Sequence, residues 1–302
     1  MHLFHVYVWP LIAVLAGNCA KGSGISGTNG YVEYFPGTPD SQVIITAAHG
    51  GYLKPSSIPD RTKGCLSGST CIWTHTCGST SSQCTAKTVR DTKTKELATE
   101  LTKALETQTG KRPHLIVNHL SRVKLDPNRE IGEATFNVAA ALTAFNEYHK
   151  FITDARANIT GAGLLFDIHG QSHPEKWIEL GYLMSKKRLN ENNLEPTLSS
   201  IRSLYNSHST NMNFDALLRG NNSFGGLLSN HGYQVVPSPG NTSPGSGNYF
   251  SGGYTVKTYG SRNGGAIDAI QIESPYALRT SERATYVAAL TAVVQNFLDL
   301  YY

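Results

Sequence analysis

The chain has 302 residues, with 26 Lys and Arg against 22 Asp and Glu, for a formal net charge of +4. That excess is small for the length and no long Lys/Arg run occurs, so nucleic acid is not the expected partner. About 280 residues remain once a leader is set aside, enough for one large domain or two small ones.

The chain opens "MHLFHVYVWPLIAVLAGNCAKGSG", in which residues 7 to 17 are almost wholly apolar and polar sequence begins at Lys21. The run is too short to span a bilayer with ease. It reads as a signal peptide over residues 1–20, with histidines in place of the usual basic n-region; the bland alternative is a short buried helix. No later segment is long and apolar enough to cross a membrane, so a secreted, extracellular mature protein of residues 21–302 is expected, with no membrane association after cleavage.

The first strand is "QVIITAA" (42–48), and it leads into "TAAHGG", which sets His49 at a strand end. Next comes a Ser/Thr/Gly-rich loop at about 60–90 holding Cys65, Cys71, Cys77 and Cys84. It has no apolar period with which to build a core. Four cysteines clustered there, with Cys19 lost in the leader, predict two disulfides formed in an oxidising compartment. A zinc knuckle is the rival, but the spacings of five, five and six residues lack the C-x-x-C pairs of structural zinc sites. Sequons at Asn158, Asn221 and Asn241 agree with export as glycosylation sites.

Leu97, Leu101 and Leu105 recur at steps of four and predict a helix over 89–108; a second is predicted over 133–159 and a third in "SERATYVAALTAVVQNFLDLYY". Between them, "HLIVNHL" (114–120), "GLLFDI" (163–168), "YQVVP" (233–237) and "AIDAIQIE" (266–273) have strand length. Strands alternating with helices predict an α/β protein, and no Pro-rich linker divides it, so 21–302 is expected to be a single domain. "PSPGNTSPGSGNYFSGG" (237–253) reads as a long turn-rich loop, of the kind that walls a site.

Ligands gather at the carboxyl ends of strands in open α/β sheets. His49, His169 and Glu273 each stand at such an end. Singly, each is ordinary: a strand-end histidine is usually bonded to backbone. Together, two histidines and a carboxylate fit a catalytic zinc site with an open position and a separate general base, with Asp167 orienting His169. In "NHLSRVKLDPNREIGEA" (118–134), Arg122 and Arg129 flank an Asp-Pro-Asn turn. Their planar forks could grip a carboxylate or an oxyanion, or form surface salt bridges. Glu179, His173, Tyr254 and Tyr259 are lesser candidates for the pocket wall.

The ordered set "TAAHGG", "SRVKLDPNRE", "LLFDIHGQSH", "GGYTVKTYG" and "AIDAIQIE" resembles the N-formylglutamate amidohydrolase family, within the wider zinc-carboxypeptidase and aspartoacylase-like hydrolases, from about residue 40 onward. The resemblance implies a three-layer α/β/α sandwich with a mixed, mostly parallel sheet of the phosphorylase/hydrolase type. It also implies one zinc held by His49 and His169, substrate binding by Arg122, Asn128 and Arg129, and Glu273 as base. Carboxypeptidase-type enzymes take a further ligand from H-x-x-E, but here that position is Tyr52. By the resemblance, Asp91 supplies the carboxylate, with Asp60 and Glu130 behind it. Asp91 also reads as a helix-opening acid in a capping box with Thr88.

The expected activity is hydrolysis of a C–N amide bond in a small acidic N-acyl amino acid or peptide-like substrate. Arg122 would face the oxyanion and Arg129 the substrate carboxylate. The alternatives are a non-catalytic extracellular matrix protein on an inherited hydrolase fold and a zinc carboxypeptidase.

Overall fold

The structure is a computed structural model and describes residues 24–78 and 82–302. The expected signal peptide, Cys19 included, lies outside the described residues. Eleven strands and ten α-helices are defined among the described residues. The strands are β1 (Ile25–Ser26), β2 (Val32–Phe35), β3 (Val43–Ala47), β4 (Lys63–Ser67), β5 (Thr70–Ile72), β6 (Gln83–Thr85), β7 (His114–Asn118), β8 (Gly163–Gly170), β9 (Ile178–Gly181), β10 (Val235–Val236) and β11 (Ile267–Ser274). The helices are α1 (Thr94–Thr109), α2 (Ile131–Thr135), α3 (Ala139–Ala157), α4 (Lys186–Asn190), α5 (Arg202–His208), α6 (Phe214–Arg219), α7 (Phe224–Asn230), α8 (Tyr254–Tyr259), α9 (Tyr276–Arg279) and α10 (Arg283–Tyr301).

Eight strands form one mixed sheet in the order β1-β2-β7-β3-β8-β11-β9-β10, whose centre, β7-β3-β8-β11, is parallel. Alternation along each strand decides which face a residue serves. Val43, Ile45, Leu164, Phe166, Ile168, Ile270 and Ile272 face α1, α7 and α10 in one core; Ile44, Leu165, Ile267 and Ala269 face α3 and α8 in the other. The second face changes character toward the carboxyl ends of the strands. Above Leu165 come Asp167 and His169, and above Ala269 come Gln271 and Glu273, all buried. The first face is mainly apolar, with buried Asp268 and Ser274 near the two ends of β11 as exceptions bonded to Ser261, Tyr302 and Tyr286, and the second turns polar where the site begins.

Three sequence expectations are corrected. The predicted helix over 133–159 is two helices, because Phe136 and Asn137 adopt left-handed backbone between α2 and α3. α1 starts at Thr94, after Lys93 in a left-handed conformation, so Asp91 precedes the helix and forms no capping box. The cysteine stretch is not simply loop: β5-β4-β6 make a small antiparallel sheet, stapled by Cys65–Cys77 and Cys71–Cys84.

Candidate active site

β3, β8 and β11 are neighbours in the sheet, so their carboxyl ends deliver His49, His169 and Glu273 side by side. The pairing is direct for two of them, since Glu273 stands opposite His169 in the β11/β8 register. The glycines after His49 allow the close packing this needs. A Cβ on Gly50 would collide with the Lys95 backbone at the start of α1, and one on Gly51 with the backbone of His119 and Leu120. α1 is thereby brought against the end of β3, and the segment before it carries Asp91 between the two histidines.

Asp91 Oδ2 lies 3.2 Å from His49 Nδ1 and 3.1 Å from His169 Nδ1. Each ring presents its other nitrogen to a fully buried carboxylate: His49 Nε2 is 2.6 Å from Asp126 Oδ1 and His169 Nε2 is 2.8 Å from Asp167 Oδ2. Asp167 is itself steadied by the Thr46 hydroxyl, which donates to Oδ1 at 2.7 Å. A carboxylate at Nε2 takes that nitrogen's proton as a hydrogen bond and leaves Nδ1 with its lone pair. Two lone pairs and a carboxylate oxygen then converge, an arrangement that repels itself unless a positive charge sits among the three. His49, Asp91 and His169 thus form a group that could hold a metal ion. Burial alone would lower His169, but Asp167 and Asp91 raise it well above the ordinary histidine value, so its surroundings favour positive charge. Burial would likewise raise Asp91, but His49 and His169 hold it far below the usual carboxylate range.

Asp126 organises the next layer. Burial opposes its charge, yet His49, Arg122 and Arg61 hold its pKa well below normal. Arg122 Nε donates to Asp126 Oδ2 at 2.8 Å, Asn128 N donates to Oδ1 at 3.1 Å, and fully buried Arg61 lies 3.4 Å away. Arg122 Nη1 is also 3.5 Å from Asp91 Oδ1. In the sequence the Asp-Pro-Asn turn reads only as a spacer between Arg122 and Arg129. The aspartate's partners, His49 and Arg61, are far away in the chain, and no local pattern announces them.

Glu273 is buried by β11 and its neighbours, and this pushes its carboxyl up to about 8; Asp91 and Glu179 add to the rise, while His169 and Arg122 oppose it. Gln271 Nε2 donates to Oε1 at 3.0 Å, whereas Glu273 Oε2 and Gln271 Oε1 are buried with no partner among the described residues. Both residues line a cavity of about 600 Å³ that is also bordered by His49, Asp91, His169 and Arg122. Unpartnered buried acceptors at a cavity wall are costly unless a ligand or water satisfies them.

Asn128 and Arg129 line the same cavity. Asn128 Oδ1 accepts from Thr255 N at 2.8 Å, while Nδ2 lies 3.1 Å from His169 Nε2, which donates to Asp167 and so is no acceptor for that amide nitrogen. Arg129 is half-buried beside Glu133. The other acids considered for the metal are elsewhere, Asp60 paired with Lys124 and Glu130 with Lys257. Tyr52 is 61 % exposed and faces Lys95. Tyr259 bonds His149 and Tyr254 packs against the same ring, so neither is a cavity residue. Glu179 is fully buried and accepts from His173 Nδ1 at 2.6 Å, and it is His173 that reaches the cavity.

No protein-family model matches the chain, and no curated protein matches it. Among solved structures it is similar to N-formylglutamate amidohydrolase from Ralstonia eutropha JMP134, with 12% identity over 92% of this chain and 98% of that one and a TM-score of 0.47. A gene product from Agrobacterium tumefaciens is similar at 12% identity over 91% and 95% of the two chains, TM-score 0.47. A metallo-carboxypeptidase from Pseudomonas aeruginosa, in complex with (2-guanidinoethylmercapto)succinic acid, is similar at 11% identity over 92% of this chain and 65% of that one, TM-score 0.37.

Proposed function

We propose that the protein is a secreted, zinc-dependent hydrolase that cleaves the C–N amide bond of an acidic N-acyl amino acid or peptide-like substrate. The observation that carries this reading is the convergence of His49 Nδ1, His169 Nδ1 and Asp91 Oδ2, each ring anchored at Nε2 by a buried carboxylate, beside a Glu273 oxygen with no partner. Two imidazoles and one carboxylate are a donor set that suits zinc and leaves a coordination position open. Zinc bound there would supply Lewis acidity toward a carbonyl oxygen and a water.

The chain's own residues do the rest. Glu273, one strand from His169, takes the water's proton and delivers it to the leaving nitrogen; a carboxyl pushed upward by burial is a better base than an exposed one. A cation at the three ligands would draw its pKa back toward neutrality and below. Arg122, fixed by Asp126, presents its guanidinium to the cavity, where it stabilises negative charge on the carbonyl oxygen. Asn128, accepting from Thr255 N, ties the loop after β7 to α8 beside the site. Arg129 meets the substrate's carboxylate as a planar fork.

Two disulfides fit an oxidising compartment, and no helix among the described residues is long and apolar enough to cross a membrane. Exposed Asn158 and Asn221 are the better placed sequons for glycan attachment, Asn241 being half-buried. The test is metal content together with amine release from a panel of N-formyl, N-acetyl and longer N-acyl amino acids and short peptides. Wild type should hold about one zinc per chain and turn over an acidic member of the panel. Glu273→Gln should keep the zinc while its rate falls about 10²- to 10⁴-fold. Bound zinc with no turnover across the panel would favour the matrix-protein reading instead.

A further inference from the structure

The catalytic cavity has a neighbour of about 500 Å³, and Gln171, Ser172, His173 and Tyr276 line both. Beyond them, Tyr233, Pro275, Ala277 and Leu278 form an apolar wall to the second cavity. The shared wall is braced from behind. Gln171 Nε2 donates to Trp177 O at 2.8 Å, and buried Arg279 donates to Gln171 O at 3.2 Å and Ser274 O at 2.9 Å, and to Thr92 O. His173 is held by Glu179, which stands opposite Glu273 in the β11/β9 register and also accepts from Phe250 N at 2.7 Å. Its ring lies 4.7 Å from that of Phe250, and its Nε2 has no partner among the described residues.

Strand order gives the two cavities a direction. Arg122 and Arg129 follow β7, on one side of the β3-β8 pair that carries the histidines. Glu273 lies on β11, and the second cavity is reached past it, on the β9 side. A substrate whose amide lies between the metal ligands and Glu273 therefore points its acidic end toward Arg129 and its other end, the acyl group, toward the second cavity. Pockets of roughly 300–1,000 Å³ hold drug-sized ligands, so a formyl or acetyl group would leave most of this space unused.

Resting on the hydrolase reading above, we propose that the second cavity is an acyl subsite. It takes an extended apolar acyl group, aliphatic or aryl, so that the substrate class is acidic amino acids carrying such a group rather than N-formyl compounds. Burial of each added methylene against Tyr233, Ala277 and Leu278 provides the affinity.

The experiment is calorimetric binding of N-acetyl-glutamate and N-(4-phenylbutanoyl)-glutamate to the metal-loaded protein, with hydrolysis of both followed separately. The aryl compound should bind at least 10-fold more tightly to wild type. Ala277→Trp and Gln234→Trp fill the second cavity from a half-buried and an exposed position. Each should abolish that preference while leaving N-acetyl-glutamate affinity within about twofold. Equal binding of the two compounds, or a preference that survives both variants, overturns the subsite. Preferential binding without hydrolysis supports the subsite and counts against the proposed reaction, so the two failures remain distinct.

Discussion

Asp126→Ala should be among the most damaging single substitutions in this chain. The side chain is fully buried, and four donors converge on it: His49 Nε2 at 2.6 Å, Arg122 Nε at 2.8 Å, Asn128 N at 3.1 Å and the Arg61 guanidinium at 3.4 Å. Removing it does not strand Arg61 without hydrogen bonds, because the carbonyls of Arg122, Glu133 and Lys87 still accept from it. What it removes is the nearest negative charge to two buried cations. Breaking a buried ion pair from one side costs about 3–5 kcal/mol, far more than the net worth of such a pair. Asp126→Asn keeps the volume but turns an amide NH₂ toward donors or leaves one unpaired, so a loss of about 2–4 kcal/mol is expected. Urea denaturation with chelator present isolates this from metal linkage, and an unchanged m-value would place the effect on stability. The same variants should bind zinc about 10- to 100-fold more weakly, because His49 loses the group that sets its tautomer. A loss below about 1 kcal/mol for Asp126→Ala would refute the idea that this carboxylate carries the charge balance of the site.

His49→Ala and His169→Ala should each lose zinc on dialysis, since two ligands cannot replace three; equal metal in both variants and wild type by elemental analysis would place the site elsewhere. Burial pushes His149 down to about 4, while Nε2–H donates to Pro127 O at 3.1 Å. Its folded pKa is below the unfolded 6.5, so the unfolded state binds more protons between those values. Stability should be full above about pH 6.5 and fall by up to about 3 kcal/mol as pH drops through 4, and His149→Gln should flatten that slope in denaturation curves. Denatured, unreduced protein should show no free thiol among Cys65, Cys71, Cys77 and Cys84, and four titrating thiols would contradict both bonds.

Much of the site's chemistry was legible because strands write their two faces at alternate positions. In "LLFDIHG" and "AIDAIQIES" the alternate residues Leu165, Asp167, His169 and Ala269, Gln271, Glu273 turn polar toward the strand end, which is enough to place His169 and Glu273 on one face. The cysteine count was enough for two disulfides, although their pairing came from the fold of β4 to β6. Short strands β1, β2 and β9 gave too few periods to be read. The break at Phe136 escaped because left-handed backbone at a non-glycine residue has no strong local signature.

What local pattern could not contain is register between distant segments. Glu179 stands behind the site, bonded to His173, because β9 runs antiparallel to β11 and sets it opposite Glu273. Asp126 belongs to His49 because α1, β3 and the loop after β7 close on the same point, where Gly50 and Gly51 permit it. Side-chain type and spacing declare which face a residue occupies; which residue stands opposite is decided only when strands from remote parts of the chain align. The group that could hold a metal joins the ends of β3 and β8 to the segment before α1, and its electrostatics arise from charges that share no neighbourhood in the sequence.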